Sequence, residues 1–330
     1  MEQNLSAESV SEKLEKVKSE IAKVFIGQKQ LVDHAIITLI AGGHLLVEGV
    51  PGLGKTLLVR ALAKTIAGES KRVQFTPDLM PADITGNIML DTVTGKFVTR
   101  KGPVFANLFI ADEINRAPAK TQAALFEAMQ EFQVTLDGES CRLPSPFMVL
   151  ATQNPFEHEG TYPLPDAQKD RFLMKIIAEY PGVEEEKTMV TKVLTGDTGA
   201  QLSVDGVNTV LDAEEFNAIK NHASSLRLDP LITDYAVRIT KATRETPAAE
   251  TGAGPRGSLS LIRCARGRAV IQGRDFVLPD DVKAMAADVL AHRITLSSES
   301  ELEGLDARRI IENLLAKVEA PKGISSNGEK

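Results

Sequence analysis

The sequence has few aromatic side chains and few cysteines, and each shortage excludes a class of protein. It contains no Trp, and aromatic residues make up 5% of its 330 residues, so its cores must be mainly aliphatic. Its two cysteines, Cys141 and Cys264, lie far apart and form no CxxC pair. This pattern predicts neither a disulfide framework nor a cysteine-based zinc site.

The apolar segments are too short for a membrane span. The longest, residues 35–47, is interrupted by Thr38 and by Gly42, Gly43 and His44, whereas a spanning helix needs about 20 apolar residues. The N-terminus lacks the basic and then apolar run of a signal peptide. We therefore expect no membrane insertion and a location in the reducing cytoplasm.

Acidic residues outnumber basic ones. Asp and Glu total 45 against 38 Lys and Arg, which gives a formal net charge of −7. Because affinity for nucleic acid and for anionic membranes comes mainly from basic charge, this balance weighs against both as partners. The remaining composition, 43% hydrophobic and 25% charged, is that of a soluble globular protein. The chain length predicts two domains.

The first 181 residues alternate between strand-like and helix-like patterns. Short apolar runs predict strands at 44–48, 72–76, 108–111 and 147–152, and helical spacing predicts helices at 1–23, 28–40 and 55–67. Such alternation predicts an α/β domain with a parallel sheet. Two hairpins interrupt it, one pairing 88–90 with 96–98, the other pairing 133–136 with 140–143 about the turn Asp137-Gly138.

After Pro181-Gly182 the pattern changes to helices alone. These are predicted at 183–194, 213–226, 231–244, 255–271 and 280–293. We therefore predict an α/β domain over residues 1–181 and an all-α domain over residues 182–320. Residues 321–330 lack apolar periodicity and are predicted to be a disordered tail.

Residues 49–56, Gly-Val-Pro-Gly-Leu-Gly-Lys-Thr, match the P-loop pattern GxxxxGK[ST] between a predicted strand and a predicted helix. Glycines let backbone N–H groups surround phosphate oxygens, and the helix N-terminus adds partial positive charge. Lys55 can then reach the β- and γ-phosphates, and the Thr56 hydroxyl can ligate magnesium. The segment predicts a nucleoside triphosphate site.

A pair of carboxylates follows the predicted strand at 108–111. Asp112 is the candidate to hold magnesium through water, and Glu113 is the candidate to polarise the attacking water. An acidic pair at this place is also common as an ordinary loop start or helix cap. A P-loop enzyme needs a carboxylate at the end of a second buried strand, which favours the catalytic interpretation.

Four more polar side chains are candidates for contact with phosphate. Asn154 follows the strand at 147–152 and can hydrogen-bond the γ-phosphate or position the water, although Asn before proline is also a common turn residue. Arg171 is a candidate for the cation that a neighbouring subunit supplies to the transferring phosphoryl group, with Arg116 as a competitor. Arg256 lies near a helix start after Pro255 and is a further candidate. For each arginine, a surface salt bridge is the alternative.

Together these motifs resemble those of the AAA+ ATPases and, within them, the MoxR family. The most specific stretch is Ala-Thr-Gln-Asn-Pro at 151–155, followed by Glu-Gly-Thr-Tyr-Pro-Leu-Pro-Asp-Ala-Gln at 159–168 and by Asp170-Arg171-Phe172. The resemblance extends from about residue 10 to about residue 320. It implies a P-loop AAA+ fold with a helix-2 insert hairpin, a pre-sensor-1 hairpin and a C-terminal helical lid.

The resemblance also implies a role for each candidate. Residues 49–56 would be Walker A, Asp112 and Glu113 Walker B, Asn154 sensor 1, Arg171 the arginine finger and Arg256 sensor 2, while 24–28 would line the adenine pocket. The expected ATP-binding residues are Gly49, Pro51, Gly52, Gly54, Lys55, Thr56, Leu57, Ile26, Gly27 and Arg256. The expected catalytic residues are Lys55, Glu113, Asn154 and Arg171, and the expected Mg²⁺ ligands are Thr56 and Asp112.

These expectations describe magnesium-dependent ATP hydrolysis by an oligomeric ring, taken as a hexamer, because an arginine finger must come from the adjacent protomer. The resemblance implies a chaperone-like role, in which the ring remodels a client protein or aids metal-cofactor insertion. It also implies a partner with a von Willebrand factor A domain, and the two hairpins are the expected contact elements. Two alternatives stay open: an ATP-dependent binding switch with little turnover, and DNA remodelling as in the related MCM branch, which the net charge disfavours.

Overall fold

The computed structural model describes residues 6–50, 52–93, 95–154, 161–195 and 203–322. Its contacts divide the chain into two compact units. The sheet unit comprises Glu15–Leu164 and Ile176–Asn217, and the helical unit comprises Met1–Leu14, Pro165–Lys175 and Ala218–Lys330. This division by contacts does not test the predicted domain boundary at residue 181, which stays a prediction. The predicted disordered tail lies outside the described residues from residue 323 onward.

The helices and strands are numbered in chain order. The helices are α1 (Ala7–Ala22), α2 (Lys29–Ile40), α3 (Lys55–Thr65), α4 (Pro81–Thr85), α5 (Ala119–Glu131), α6 (Asp166–Lys169), α7 (Val183–Thr195), α8 (Ala213–Ser225), α9 (Pro230–Glu245), α10 (Pro255–Ile271), α11 (Pro279–Leu290), α12 (Ser298–Leu302) and α13 (Ala307–Lys317). The strands are β1 (Leu45–Glu48), β2 (Ser70–Gln74), β3 (Gly86–Asp91), β4 (Lys96–Lys101), β5 (Leu108–Asp112), β6 (Gln133–Leu136), β7 (Glu139–Arg142), β8 (Met148–Gln153), β9 (Met174–Ile177), β10 (Ala249–Thr251) and β11 (Thr295–Leu296). Short 3₁₀ turns cover Ile114–Arg116 and Ala291–Arg293.

A five-stranded sheet has the strand order β2-β5-β8-β1-β9. The pairs β1–β8, β5–β8 and β2–β5 are parallel, as the alternating pattern predicts. The apolar residues of β1, β5 and β8 are fully buried, which is typical of parallel strands covered on both faces. The edge strand β2 instead carries the exposed residues Lys71 and Arg72, and charge at an edge opposes pairing with another chain.

The strand order brings the predicted motifs to one edge of the sheet. β8 lies between β1 and β5, with Val47 opposite Thr152 and Ala111 opposite Ala151. On the other side of β5, Asp112 is opposite Gln74. Because parallel strands end on the same side, the loops that follow β1, β5 and β8 meet at this edge, where α/β proteins bind their ligands.

Both predicted hairpins are confirmed. β3 and β4 pair antiparallel from Gly86 opposite Lys101 to Asp91 opposite Lys96, which makes this hairpin longer than the apolar pattern indicates. β6 and β7 pair about Asp137 and Gly138, whose φ angles are +49° and +84°. Two consecutive positive φ angles are those of the type I′ turn that the Asp-Gly sequence predicts.

The helical unit contains the predicted helices α9, α10 and α11, whose buried residues include Ile232, Tyr235, Leu261 and Val282. The helical pattern of the sequence did not predict the two-stranded ladder of β10 and β11. Strands of three and two residues are too short to show a period, which is why the sequence did not indicate them. The strand β9 and the helices α12 and α13 were not predicted either. Among the described residues, no helix is long and apolar enough to cross a membrane.

Candidate active site

The P-loop joins β1 to α3, and two of its glycines adopt a backbone conformation with positive φ. Gly52 has a φ of +89° and Gly54 a φ of +73°, a region that residues with side chains rarely adopt. Gly54 also lies against Phe25, since a Cβ added to this glycine would come within 3.2 Å of the Phe25 ring. The helix begins directly afterwards at Lys55, so its first backbone N–H groups are available to an anion. The predicted ATP ligand Pro51 lies outside the described residues.

The Lys55 side chain is buried within the loop. Its Nζ donates to Gly49 O at 3.0 Å and to Val50 O at 3.2 Å. Burial lowers the pKa of Lys55, and the negative charges of Asp112 and Glu113 oppose that change. The P-loop carbonyls therefore orient this ammonium group beside the carboxylates of the site.

One cavity of about 440 Å³ collects most of the predicted residues, and this volume is within the range of small-molecule sites. The predicted residues that line it are Gly49, Gly52, Gly54, Lys55, Thr56, Leu57, Asp112, Glu113 and Asn154. Residues without a predicted role also line it, namely Leu53, Arg60, Arg72, Gln74, Thr152 and Gln153. The arrangement is the one expected of a nucleotide site, and the individual roles stay predictions.

Asp112 is held at the end of β5 by two neighbouring strands. Its Oδ1 accepts a hydrogen bond from Thr152 Oγ1 at 2.5 Å. Its Oδ2 accepts from Arg72 Nε at 3.0 Å and from Arg72 Nη2 at 2.6 Å. Thr152 also accepts a hydrogen bond from the backbone N–H of Glu113 at 2.8 Å. This carboxylate is therefore oriented from both sides.

Glu113 occupies a backbone conformation that is rare for a residue with a side chain, with a φ of +54°. Its Oε2 accepts from Gln74 Nε2 at 2.7 Å and from Arg116 Nη1 at 3.0 Å. Arg72 Nη2 in turn donates to Gln74 Oε1 at 2.7 Å. Both acidic residues are thus linked to the edge strand β2, and strained backbone of this kind is common where a side chain must be aimed.

The oxygen donors of the cavity suit magnesium. Thr56 contributes a hydroxyl and Asp112 a carboxylate, and Mg²⁺ prefers hard oxygen ligands together with water and substrate phosphates. Among the described residues, no three His, Cys, Asp or Glu side chains come together as a metal site of their own. Thr56 and Asp112, the latter through water, would hold a magnesium ion here, and the ion would supply positive charge to neutralise the phosphates of ATP.

The expected adenine segment 24–28 lies beside the P-loop. Phe25 packs on Gly54, and Gln28 Nε2 donates to Leu53 O at 3.3 Å. Ile26 and Gly27 do not line the first cavity; they line a second one of about 490 Å³ with residues of α1, α2 and α7. Their contact with adenine stays a prediction.

Arg171 and Arg256 belong to the helical unit. Arg171 follows the short helix α6 and is half-buried. Arg256 lies in the first turn of α10 and its Nη1 donates to Asp170 Oδ2 at 3.1 Å. Their roles as arginine finger and sensor 2 stay predictions, as does that of Asn154.

Three residues around the carboxylates had no predicted role: Arg72, Gln74 and Thr152. Arg72 and Gln74 alternate along β2 and so point to one face, and Gln74 is the register partner of Asp112. Pairing the predicted strands in parallel could have suggested Gln74. The hydroxyl bridge from Thr152 depends on rotamers and has no sequence signal.

This fold and this site define a P-loop ATPase of the AAA+ class. Comparison with known proteins agrees: the family described as "ATPase family associated with various cellular activities (AAA)" matches residues 44–174, and the AAA lid domain matches residues 241–314. The chain is 41% identical to Chaperone MoxR1 of Mycobacterium tuberculosis over 94% of this chain and 82% of that protein. It is also 41% identical to YeaC of Bacillus subtilis, over 93% and 95% of the two chains.

A solved structure is similar over nearly the whole fold. The crystal structure of a Cytophaga hutchinsonii protein has a TM-score of 0.89 and 41% identity, and covers 96% of this chain and 97% of its own. The chain therefore belongs to the MoxR family of AAA+ ATPases, as its motifs indicated. It is an ATPase with a parallel-sheet core and a helical C-terminal region.

Proposed function

We propose that the chain hydrolyses ATP with magnesium at a site completed by a neighbouring protomer, in a cytoplasmic ring taken as a hexamer. The observation that supports this most is that Lys55, Thr56, Asp112, Glu113 and Asn154 line the same cavity. These are the phosphate-binding, metal-binding and water-activating groups that phosphoryl transfer requires.

Within this site the chain's own residues divide the work. Lys55 and the loop N–H groups bind the phosphates, and Thr56 and Asp112 orient the magnesium. Glu113 accepts the proton of the attacking water, and its carboxylate is held for this by Gln74. Asn154 completes the side of the cavity nearest to β8 and orients the γ-phosphate or the water.

The remaining positive charge comes from Arg171 of the adjacent protomer. The competitor Arg116 donates to Glu113 of its own chain, and Arg72 donates to Asp112 of its own chain. These contacts give both arginines a role in orienting carboxylates of their own chain. The assignment of Arg171 to the interface is supported by its place in the Asp170-Arg171-Phe172 motif. An arginine supplied in this way contributes about 10³–10⁵-fold to the rate.

Hydrolysis would drive a chaperone-like activity, either remodelling of client protein complexes or metal-cofactor insertion, together with a partner carrying a von Willebrand factor A domain. One support is the name of the M. tuberculosis relative, a chaperone. A second is the β3–β4 hairpin, on which Leu90, Phe97 and Val98 are 53%, 77% and 51% exposed. Clustered exposed apolar side chains mark protein-binding surfaces.

Mixing two inactive variants tests the shared site. Arg171→Ala lacks the arginine finger but keeps an intact P-loop, and Lys55→Ala lacks the P-loop lysine but keeps Arg171. Each variant alone should therefore be inactive, whereas the mixture should recover magnesium-dependent ATP turnover. Arg116→Ala mixed with Lys55→Ala is the matched control and should not recover, because Arg116 acts on its own Glu113. Recovery with Arg116→Ala and none with Arg171→Ala would overturn the assignment, and no recovery in either would reject a shared site.

A further inference from the structure

Asp170, the residue before the proposed arginine finger, binds two arginines of the helical unit. Its Oδ1 accepts from Arg293 Nε at 2.8 Å, and its Oδ2 accepts from Arg256 Nη1 at 3.1 Å. Arg293 follows α11 and Arg256 begins α10. One carboxylate therefore connects the proposed sensor 2 residue to the chain segment that carries Arg171.

The two ion pairs differ in exposure. The Arg293 side chain is 2% exposed, whereas that of Arg256 is 50% exposed. Breaking a buried pair leaves an uncompensated charge in the interior and is strongly destabilising. An exposed pair with one contact contributes little to stability. The Arg293 pair therefore holds the Asp170 carboxylate more firmly than the Arg256 pair does.

Arg293 also binds the backbone around Arg171. Its Nη2 donates to Phe172 O at 2.6 Å and to Asp170 O at 3.2 Å, and its Nη1 donates to Leu173 O at 3.3 Å. These carbonyls come from the residues on both sides of Arg171. A single buried guanidinium therefore fixes the backbone on both sides of Arg171, within residues 165–175, which we call the finger segment.

The finger segment also groups with the helical unit in its contacts. Residues 165–175 belong to this unit although the chain on both sides of them belongs to the sheet unit. The backbone of Arg171 is thus anchored in the helical unit by Arg293, which follows α11.

We propose that Asp170 and Arg293 are positioning residues that hold Arg171 for the neighbouring site. The Asp170 carboxylate pairs with the buried Arg293, and Arg293 binds the backbone on both sides of Arg171, so the two side chains together determine where this arginine is presented. This inference rests on the proposed shared site.

The test places Asp170→Asn in either member of the mixed assembly. The arginine donor is Lys55→Ala, whose own site is inactive, and the site donor is Arg171→Ala. Asp170→Asn in the arginine donor should lower kcat of the mixture about tenfold or more, because small misplacements of a catalytic group are costly, with KM for ATP little changed. In the site donor, where Arg171 is already absent, the same change should leave kcat within about twofold of the unmodified mixture.

Asp166→Asn in the arginine donor is the matched control. It makes the same chemical change on the same segment, at an exposed carboxylate paired with Lys169 and Thr295 rather than with Arg293 or Arg256. It should leave kcat of the mixture unchanged. Arg293→Lys in the arginine donor is a second variant, which keeps the charge but loses the fork of contacts to the backbone, and it should lower kcat as Asp170→Asn does.

The outcomes separate the two proposals. A loss of kcat when Asp170→Asn is placed in the site donor would overturn the positioning of Arg171, because that protomer has no Arg171. An equal loss in the Asp166→Asn control would indicate a merely structural role of the segment and would overturn it too. An unmodified mixture with no turnover would instead reject the shared site, and the positioning role with it.

Discussion

Thr152 Oγ1 lies 2.5 Å from Asp112 Oδ1 and also accepts the backbone N–H of Glu113 at 2.8 Å. One hydroxyl on β8 therefore orients both carboxylate residues at the end of β5. Threonine is 2% exposed here, so neither contact can be replaced by bulk water. The geometry of the site depends on this bridge between two neighbouring strands.

Replacing Thr152 with Val should therefore impair turnover while keeping the volume of the side chain. The change leaves the Glu113 N–H without its acceptor, which costs about 1–3 kcal/mol of unfolding free energy. We expect ATP turnover to fall at least tenfold, as for a misaligned catalytic group. Thr152→Ser restores the hydroxyl and should recover most of the activity. Steady-state ATPase assays and urea unfolding of both variants measure these effects. Equal turnover in the Val and Ser variants would contradict the orienting role of the Thr152 hydroxyl.

Arg72 should compete with magnesium for Asp112. Its guanidinium contacts Oδ2 of this carboxylate at 2.6 Å, and its side chain is 47% exposed. An exposed pair contributes about 1 kcal/mol at most, which corresponds to about fivefold in a binding constant. Arg72→Gln should therefore lower the magnesium concentration for half-maximal ATPase activity by up to about fivefold.

The control for Arg72 is the adjacent residue on the same strand. Lys71→Gln removes one positive charge from a side chain that pairs with Glu69 at 2.6 Å. It should leave the magnesium dependence unchanged. A magnesium requirement that rises in Arg72→Gln, or that shifts equally in both variants, would contradict competition at Asp112.

The buried residue His292 should make stability depend on pH. Burial, with Arg293 beside it, holds the pKa of His292 well below its ordinary value of 6.5. In the unfolded chain this histidine takes up a proton near pH 6.5, whereas in the folded chain it stays neutral. The contribution of His292 to the free energy of unfolding should therefore be complete above pH 6.5. At lower pH it should decrease by about 1.4 kcal/mol for each pH unit.

His292→Gln removes this contribution to the slope. Urea unfolding above and below pH 6.5 should show a smaller loss of stability with acidification in the variant than in the wild type. Carboxylates with a lowered pKa, such as Glu20, affect stability only below their ordinary value of 4.5. A difference in slope between the two proteins from pH 4.5 to pH 6.5 therefore reports the histidine. Identical slopes in the two proteins between these values would contradict the assignment.

Exposed apolar residues on the β3–β4 hairpin should serve client binding and not ATP hydrolysis. Leu90 and Phe97 are register partners and are both more than half exposed. The double change Leu90→Gln and Phe97→Gln should leave basal ATPase activity within about twofold and strongly reduce stimulation of turnover by client. Thr99→Ala on the same hairpin is the control. Unchanged client stimulation in the double variant would remove this hairpin from the contact surface.

Much of the site could be predicted because its chemistry is local in sequence. The P-loop depends on glycines at fixed spacing before Lys55, and the acidic pair directly follows an apolar strand, so both are visible in a short window. The type I′ hairpin is equally local, because Asp137 and Gly138 alone determine its turn. The parallel sheet followed from the alternation of strands and helices.

The residues that orient the site could not be predicted in this way. Arg72 and Gln74 reach Asp112 and Glu113 only through the register of β2 against β5. Asp170 and Arg293 are 123 residues apart, and their pairing depends on how the helices of one unit pack. These side chains pair with partners that are distant in sequence, and no local sequence pattern indicates such pairs.

We propose above all that Glu113 activates water while the P-loop binds ATP. Glu113→Gln keeps the shape of the side chain and removes its ability to accept a proton, so it is compared with Lys55→Ala, which removes a phosphate contact. The most direct measurement is ATP affinity and single-turnover hydrolysis of the two variants with magnesium. We expect Glu113→Gln to bind ATP as the wild type does but to lose turnover by about 10² or more, whereas Lys55→Ala should lose affinity. Turnover by Glu113→Gln at the wild-type rate would contradict the proposed role of Glu113.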